Sequence, residues 1–347
     1  MNSIQEAVDK LVESGEELGL QVAVYRHGEL VADVVAGEAA PGRPVTSDTP
    51  FFSYSTGKGV TATVIHVLAE RGVLDYDRPI AELWPEFAAE GKGATTLRHV
   101  LTHSAGLPAV PAGTTPESLC DWEGMCAALA AATPWWEPGT RTGYHAMTFG
   151  YLAGEVVRRA TGKPISRVLR EEIAQPLGIE RELYFGVPDD QAHRVAELRQ
   201  APMPDMPMDL PDLPMFTATP AAVMPSAAYG NRPDVLAADI PSGSTLSARG
   251  VARMYAALLD GTLVSGERLR EISRTHVTGQ DQMTYGPAAW ALGYAVGVGG
   301  TPSSFGMQGV GGSGAFADPE TGLAFALTLN RFNMADAKAF DLVKNLL

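Results

Sequence analysis

The sequence predicts an α+β fold, with one sheet assembled from both ends of the chain and a mostly helical stretch inserted between them. Two observations predict it. β-rich runs occur near the start, at Gln21 to Tyr25 and Leu30 to Val35, and again in the glycine-rich last third, at Tyr294 to Val298, Ala315 to Ala317 and Leu323 to Leu329. Between these ends, residues 75–180 alternate short helical patterns with loops. The expected division is a discontinuous sheet domain, 1–78 with 235–347, and a helical insertion, 79–234.

Each element has a local reason. Ile4, Val8, Leu11 and Val12 recur at helical spacing, which predicts a helix over 4–18. Arg26-His27-Gly28-Glu29 lies between two β-rich runs and reads as a hairpin turn. An apolar run (Val60, Val64, Ile65, Val67, Leu68) predicts a helix over 57–72, closing at Gly72. Leu97 to His103 and Met125 to Ala132 are further helices. Thr148 to Thr161 is strongly helical and stops at Gly162-Lys163-Pro164, a C-terminal glycine followed by proline. Ile165 to Ile173 follows and is expected to end at Pro176. Ser247 to Leu259 and 335–347 complete the helices.

Residues 202–225 differ from the rest, with seven prolines and five of the twelve methionines. Proline blocks helix and ladder hydrogen bonds alike, which favours an irregular surface loop. Methionine adapts to varied apolar shapes, which instead favours a flap, with Phe216, over an acyl pocket.

Composition narrows the function. The 347 residues can bury a large core, and 45% hydrophobic with 19% charged residues describes an ordinary soluble domain. A net charge of −14 argues against nucleic acid and anionic membrane surfaces as partners. No apolar run of 18 residues suggests a membrane span. The N-terminus, Met1-Asn2-Ser3-Ile4-Gln5-Glu6, lacks the basic and apolar regions of a secretory signal, so a cytoplasmic location is expected unless a leader has been removed. Two cysteines, Cys120 and Cys126, are too few for a disulfide scaffold, and no histidine or cysteine spacing points to a metal. No cofactor is expected.

The chemistry-bearing stretch is Ser55-Thr56-Gly57-Lys58, at the head of the 57–72 helix. Three-residue spacing places a serine and a lysine on one helical face, one turn apart. Serine is a weak nucleophile until a neighbouring base takes its proton. A lysine in a dry pocket can shed its own proton and serve as that base. The bland alternative is a helix-capping serine and a solvated lysine. Phe51 and Phe52 ahead of the pair, glycines on both sides of Lys58, and the scarcity of lysine (6 against 20 arginines) favour a buried site.

Two further stretches can complete it. Tyr144, in Pro138-Gly139-Thr140-Arg141-Thr142-Gly143-Tyr144-His145-Ala146, precedes a long helix. Beside a cationic lysine its phenol could lose its proton and act as a base, or it is a core tyrosine with a satisfied hydroxyl. Phe305 to Phe316 carries glycines that let backbone N–H groups approach a reacting carbonyl, or that mark a bulged strand. Trp135 and Trp136 are candidate pocket walls, or core or interface residues.

Taken together, these motifs resemble the serine β-lactamase and penicillin-binding-protein superfamily, and within it the class C β-lactamase-like branch that includes family VIII carboxylesterases. The resemblance rests on Ser55 to Lys58, Leu101-Thr102-His103-Ser104-Ala105-Gly106-Leu107, Glu137-Pro138-Gly139-Thr140 with Tyr144, and Gly311-Gly312-Ser313 leading to Phe316-Ala317-Asp318-Pro319. It implies a mixed α/β domain with a mostly antiparallel sheet flanked by helices, an all-α domain, and a site between them. It implies that Ser55 is acylated, that Lys58 is the base or holds Tyr144 deprotonated, and that Tyr144 passes the proton to the leaving group. The backbone amides of Ser55 and Val310 would form the oxyanion hole.

Two departures from the family pattern bear on substrate. Tyr144-His145-Ala146 stands where Tyr-x-Asn is usual, and Met307-Gln308-Gly309 stands where Lys-Thr-Gly or His-x-Gly is usual. A thioether in place of a cation cannot pair a substrate carboxylate, and burying that carboxylate unpaired costs several kcal/mol. The expected activity is therefore hydrolysis of neutral carboxylic esters through an acyl-enzyme, whose acyl group an alcohol or amine would also accept. The alternatives are a β-lactamase or D,D-peptidase, and a binding protein that has kept the fold and lost the chemistry.

Overall fold

Why the chain ends meet in one sheet is visible in the pattern of side chains. A computed structural model describes residues 2–202, 213–334 and 338–347. Nine strands form one sheet in the order Arg43–Pro44, Glu29–Ala40, Gly19–Arg26, Leu323–Leu329, Gly314–Asp318, Phe305–Gln308, Ala295–Val296, Pro287–Trp290, Val277–Gln280. Every pairing in it is antiparallel. The two chain ends join where Val22 faces Leu327 and Val24 faces Phe325. All nine strands lie within 19–44 and 277–329.

The period-two alternation of these strands serves two helical layers. Leu20, Val22, Val24, Phe316 and Phe325 point to one face, where Ile4, Val8 and Leu11 of the helix Asn2–Glu13 and Phe340 and Val343 of the helix Lys338–Lys344 cover them. Ala23, Ala315, Ala317, Ala324 and Ala326 point to the other. Their small side chains let the helices Ala248–Leu259 and Thr56–Glu70 lie close to the sheet.

The structure redraws several boundaries. The first helix stops at Glu13, not at residue 18, because Gly15 adopts φ +75° and turns the chain toward the strand that starts at Gly19. The hairpin turn is as expected, with His27 and Gly28 both at positive φ, as a two-residue turn matching strand twist requires. The helix at Ile165 does not end at Pro176. It passes through a π-helical turn, Arg170–Ala174, into Gln175–Leu177 and stops at Gly178, in the left-handed conformation. Pro176 falls just after the π-helical turn, within the last turn of this continuous helix. The strands Val277–Gln280 and Pro287–Trp290 carry no clear alternation and were not expected.

Residues 79–234 contribute no strand to the nine-stranded sheet. Their main helix is Thr148–Thr161, closed by Gly162 at φ +69°. It packs against the helix Thr56–Glu70. Two short pairings tie this region back to the rest. Leu183–Tyr184 and Phe51–Phe52 flank Thr245–Leu246, and Arg199–Gln200 runs beside Arg331–Phe332. Of the 202–225 segment, residues 203–212 lie outside the described residues. The remainder includes a helix, Pro214–Ala218, and a 3-10 turn, Ala221–Val223. Among the described residues no helix is long and apolar enough to cross a membrane, and no cluster of metal-ligating side chains occurs.

Candidate active site

Ser55 occupies the N-cap position of the helix Thr56–Glu70, but its hydroxyl makes no capping bond. It is free for other work. Tyr54, just before it, is held at φ +42°, a conformation that is uncommon for a bulky residue. Surroundings enforce that turn. The Tyr54 hydroxyl donates to the Ser226 carbonyl and accepts the Ser226 N–H at 3.0 Å, while its ring packs edge-on against Phe52.

Lys58 follows one turn later and is 1% exposed. Its amine lies 3.0 Å from Ser55 Oγ and 3.1 Å from the Ser242 carbonyl oxygen. The flanking glycines explain how a lysine reaches so dry a place. A β-carbon on Gly57 would come within 2.2 Å of the Gly243 backbone, and one on Gly59 within 2.2 Å of the Tyr255 hydroxyl. Glycine at 57 lets the helix press onto the Gly243–Ser244 backbone, and glycine at 59 lets it lie against Tyr255. Burial, with no facing carboxylate to offset it, lowers the Lys58 amine to about 7. The solvated-lysine alternative is therefore excluded by geometry.

Tyr144 stands over this pair, with Lys58 Nζ 5.0 Å from the centre of its ring. Burial pushes its phenol well above the ordinary range, the Ser55 side chain draws it back, and the Asp281 carboxylate pushes it up again. The sequence left open whether a cationic Lys58 would strip Tyr144. In the folded chain the same dry environment disfavours the charged form of both groups.

The glycine-rich turn meets Ser55 from the opposite side. Gly309 N–H donates to the Ser313 carbonyl at 2.8 Å and Gly312 N–H to the Gly309 carbonyl at 3.2 Å. That leaves the next residue, Val310, at the rim of the cavity beside Ser55. Among the described residues, neither the Ser55 nor the Val310 N–H has a backbone acceptor.

A cavity of about 150 Å³ opens in front of Ser55. Phe52, Tyr54, Tyr229, Ile240 and five methionines (Met147, Met215, Met224, Met283, Met334) wall it, and none of its described lining residues carries a formal charge. Several expected substrate contacts lie elsewhere. Met307 is buried against Trp290 and Ala288, and neither it nor Gln308 nor Gly309 lines the cavity. Trp136 packs behind the wall, on Met283 and Ala218. Trp135 is exposed and borders a separate groove with Leu107 and Leu129. Phe216 is exposed, pointing away, while its neighbour Met215 faces in.

His145 faces the core. Its Nδ1 meets the Gly143 carbonyl at 2.6 Å and its Nε2 accepts the Leu107 N–H at 3.0 Å. Burial lowers it to about 4, so it is neutral and structural. Sequence reasoning missed Ser242, which accepts from Lys58, and Met147, Met283 and Met334. Single residues in loops that converge only on folding leave no local pattern to read.

Comparison with known proteins bears on the family and the fold. A family model described as Beta-lactamase matches residues 4–347. The esterase/beta-lactamase LipL of Mycobacterium tuberculosis is 38% identical over 90% of this chain and 77% of its own length. Esterase EstB of Burkholderia gladioli is 29% identical over 93% of this chain and 88% of its own. The crystal structure of a family VIII carboxylesterase superposes with a TM-score of 0.90 at 33% identity, covering 99% of this chain and 95% of that one. A penicillin-binding protein homologue from Caulobacter crescentus gives 0.87 at 34% identity over the same shares.

Proposed function

This chain belongs to the beta-lactamase family, and from that premise we propose that it hydrolyses neutral carboxylic esters through an acyl-enzyme on Ser55. The relatives named as esterases support the ester-hydrolase assignment. The observation that carries the residue roles is the placement of a buried Lys58 amine, lowered to about 7, 3.0 Å from Ser55 Oγ.

The steps follow from that contact. A neutral amine that donates to the Ser242 carbonyl has its lone pair left for the Ser55 hydroxyl proton. Ser55 Oγ bonds to the ester carbonyl carbon as Lys58 takes its proton. The carbonyl oxygen becomes an oxyanion, which the Ser55 and Val310 N–H groups stabilise. When the carbon–alkoxide bond breaks, the alkoxide takes the phenolic proton of Tyr144, and the Lys58 ammonium restores it. Water then repeats the sequence on the acyl-enzyme, with Ser55 as leaving group.

The cavity sets the acyl preference. Uncharged walls disfavour a carboxylate-bearing substrate, which argues against the β-lactamase and peptidase alternatives. A volume of about 150 Å³ suits a benzene-sized or short alkyl acyl group. A p-nitrophenyl butyrate assay tests the reading. A burst of p-nitrophenol, with the acyl mass on Ser55, is expected, and Ser55→Ala should abolish both. Unchanged turnover in that variant would remove the proposal. Nitrocefin turnover matching ester turnover would favour the β-lactamase instead.

A further inference from the structure

Asp281 is 4% exposed, and its described partners are all hydrogen-bond donors. One oxygen, Oδ2, accepts the Tyr144 backbone N–H at 2.9 Å. The other, Oδ1, accepts the N–H groups of Met283 at 2.8 Å and Thr284 at 3.1 Å, closing the turn that supplies cavity wall. The loops it joins are otherwise tightly meshed. Gln282 N–H donates to the Thr142 carbonyl at 2.9 Å. A β-carbon on Gly143 would come within 2.7 Å of the Trp136 ring and 3.2 Å of Gln282 and Met283 side-chain atoms.

A structural cap would not need the charge. An asparagine or serine closes such a turn through one oxygen. Both oxygens are used here, and the second reaches only Tyr144. The negative charge also opposes formation of a phenolate nearby.

We infer that Asp281 is a positioning residue that holds Tyr144 as the proton donor to the departing alkoxide. This rests on the role given to Tyr144 in the proposed function. It is distinct from a folding role because it acts on one step. An alcohol leaving group needs the proton, whereas p-nitrophenol departs without it.

The test uses the ethyl and p-nitrophenyl esters of one acid, with wild type, Tyr144→Phe, Asp281→Asn and Asp281→Ser. Asparagine keeps the turn through its Oδ1 and aims an N–H at the Tyr144 N–H. Serine keeps the turn and leaves the Tyr144 N–H unpaired, so it serves where the asparagine variant does not fold. Each Asp281 variant should lower kcat/KM for the ethyl ester at least about tenfold more than for the p-nitrophenyl ester. Combination with Tyr144→Phe should add no further selective loss. Equal losses on both esters from Asp281 variants, beside a selective loss in Tyr144→Phe, would overturn the inference alone. No selective loss in Tyr144→Phe would overturn the donor role of Tyr144, and this inference with it.

Discussion

Gly309 lies so close to Ser53 that a β-carbon on it would stand 2.3 Å from the Ser53 carbonyl oxygen, and 2.9 Å from Thr56 Oγ1. Thr56 Oγ1 in turn donates to the Ser313 carbonyl at 3.2 Å. The start of the serine helix and the glycine-rich turn are thereby held at backbone contact distance. That contact sets Ser55 and Val310, from distant parts of the chain, beside one cavity, where the proposed mechanism has their N–H groups meet one carbonyl oxygen.

Gly309→Ala is therefore expected to displace the turn and with it the Val310 N–H. The predicted loss in the rate of Ser55 acylation is on the order of 10²–10³, as for removal of one oxyanion donor. Labelling kinetics with a fluorophosphonate would read it directly. A wild-type labelling rate in a folded Gly309→Ala protein would show that the Val310 amide takes no part.

The separation between what the sequence disclosed and what it hid follows from range. Ser55 and Lys58 share one helical turn, so their spacing alone announces the contact later found at 3.0 Å. The sheet was legible where strands alternate or run apolar, as in Gln21 to Tyr25 and Leu323 to Leu329. It was not legible at Val277–Gln280, a mostly exposed strand at the sheet edge, whose fold comes from pairing with Pro287–Trp290. Cavity residues were the least visible. Trp135 and Phe216 are large and apolar but exposed, whereas Met147 and Met283 carry no sequence signal and form walls. Hydrophobicity marks what packs, not which way it faces.

Acyl-chain selectivity follows from the methionine walls. Met224 lines the cavity from the loop after the 3-10 turn, and its side chain makes no polar contact among the described residues. Met224→Trp would fill space in the cavity in front of Ser55 while leaving Ser55, Lys58 and Tyr144 unaltered in sequence. The ratio of kcat/KM for p-nitrophenyl hexanoate over acetate should fall at least about tenfold, the lower end of what a few methylenes decide in an apolar pocket. An unchanged ratio would place the acyl chain elsewhere.

Lys58 links activity and stability through one proton. The rate of acylation should climb through an acid limb centred near 7 and level off above it, because only the neutral amine accepts the Ser55 proton. Stability moves with the same group. Folded, the amine gives up its proton above about 7, whereas in the unfolded chain it holds it up to the ordinary 10.5. Between these values the unfolded state binds more protons, so the contribution of Lys58 to stability rises with pH across that window and is lowest at and below its start. Lys58→Met removes that burden. It should abolish acylation yet stabilise the fold at neutral pH by about 3–5 kcal/mol, less ~1 kcal/mol for each hydrogen bond lost to Ser55 and Ser242. Urea unfolding at about pH 7 and about pH 10 would measure both values, and the gain should shrink toward the alkaline end. A variant that is less stable than wild type at neutral pH would mean that the amine is not held in its neutral form, and the base assigned to Ser55 would have to be sought elsewhere.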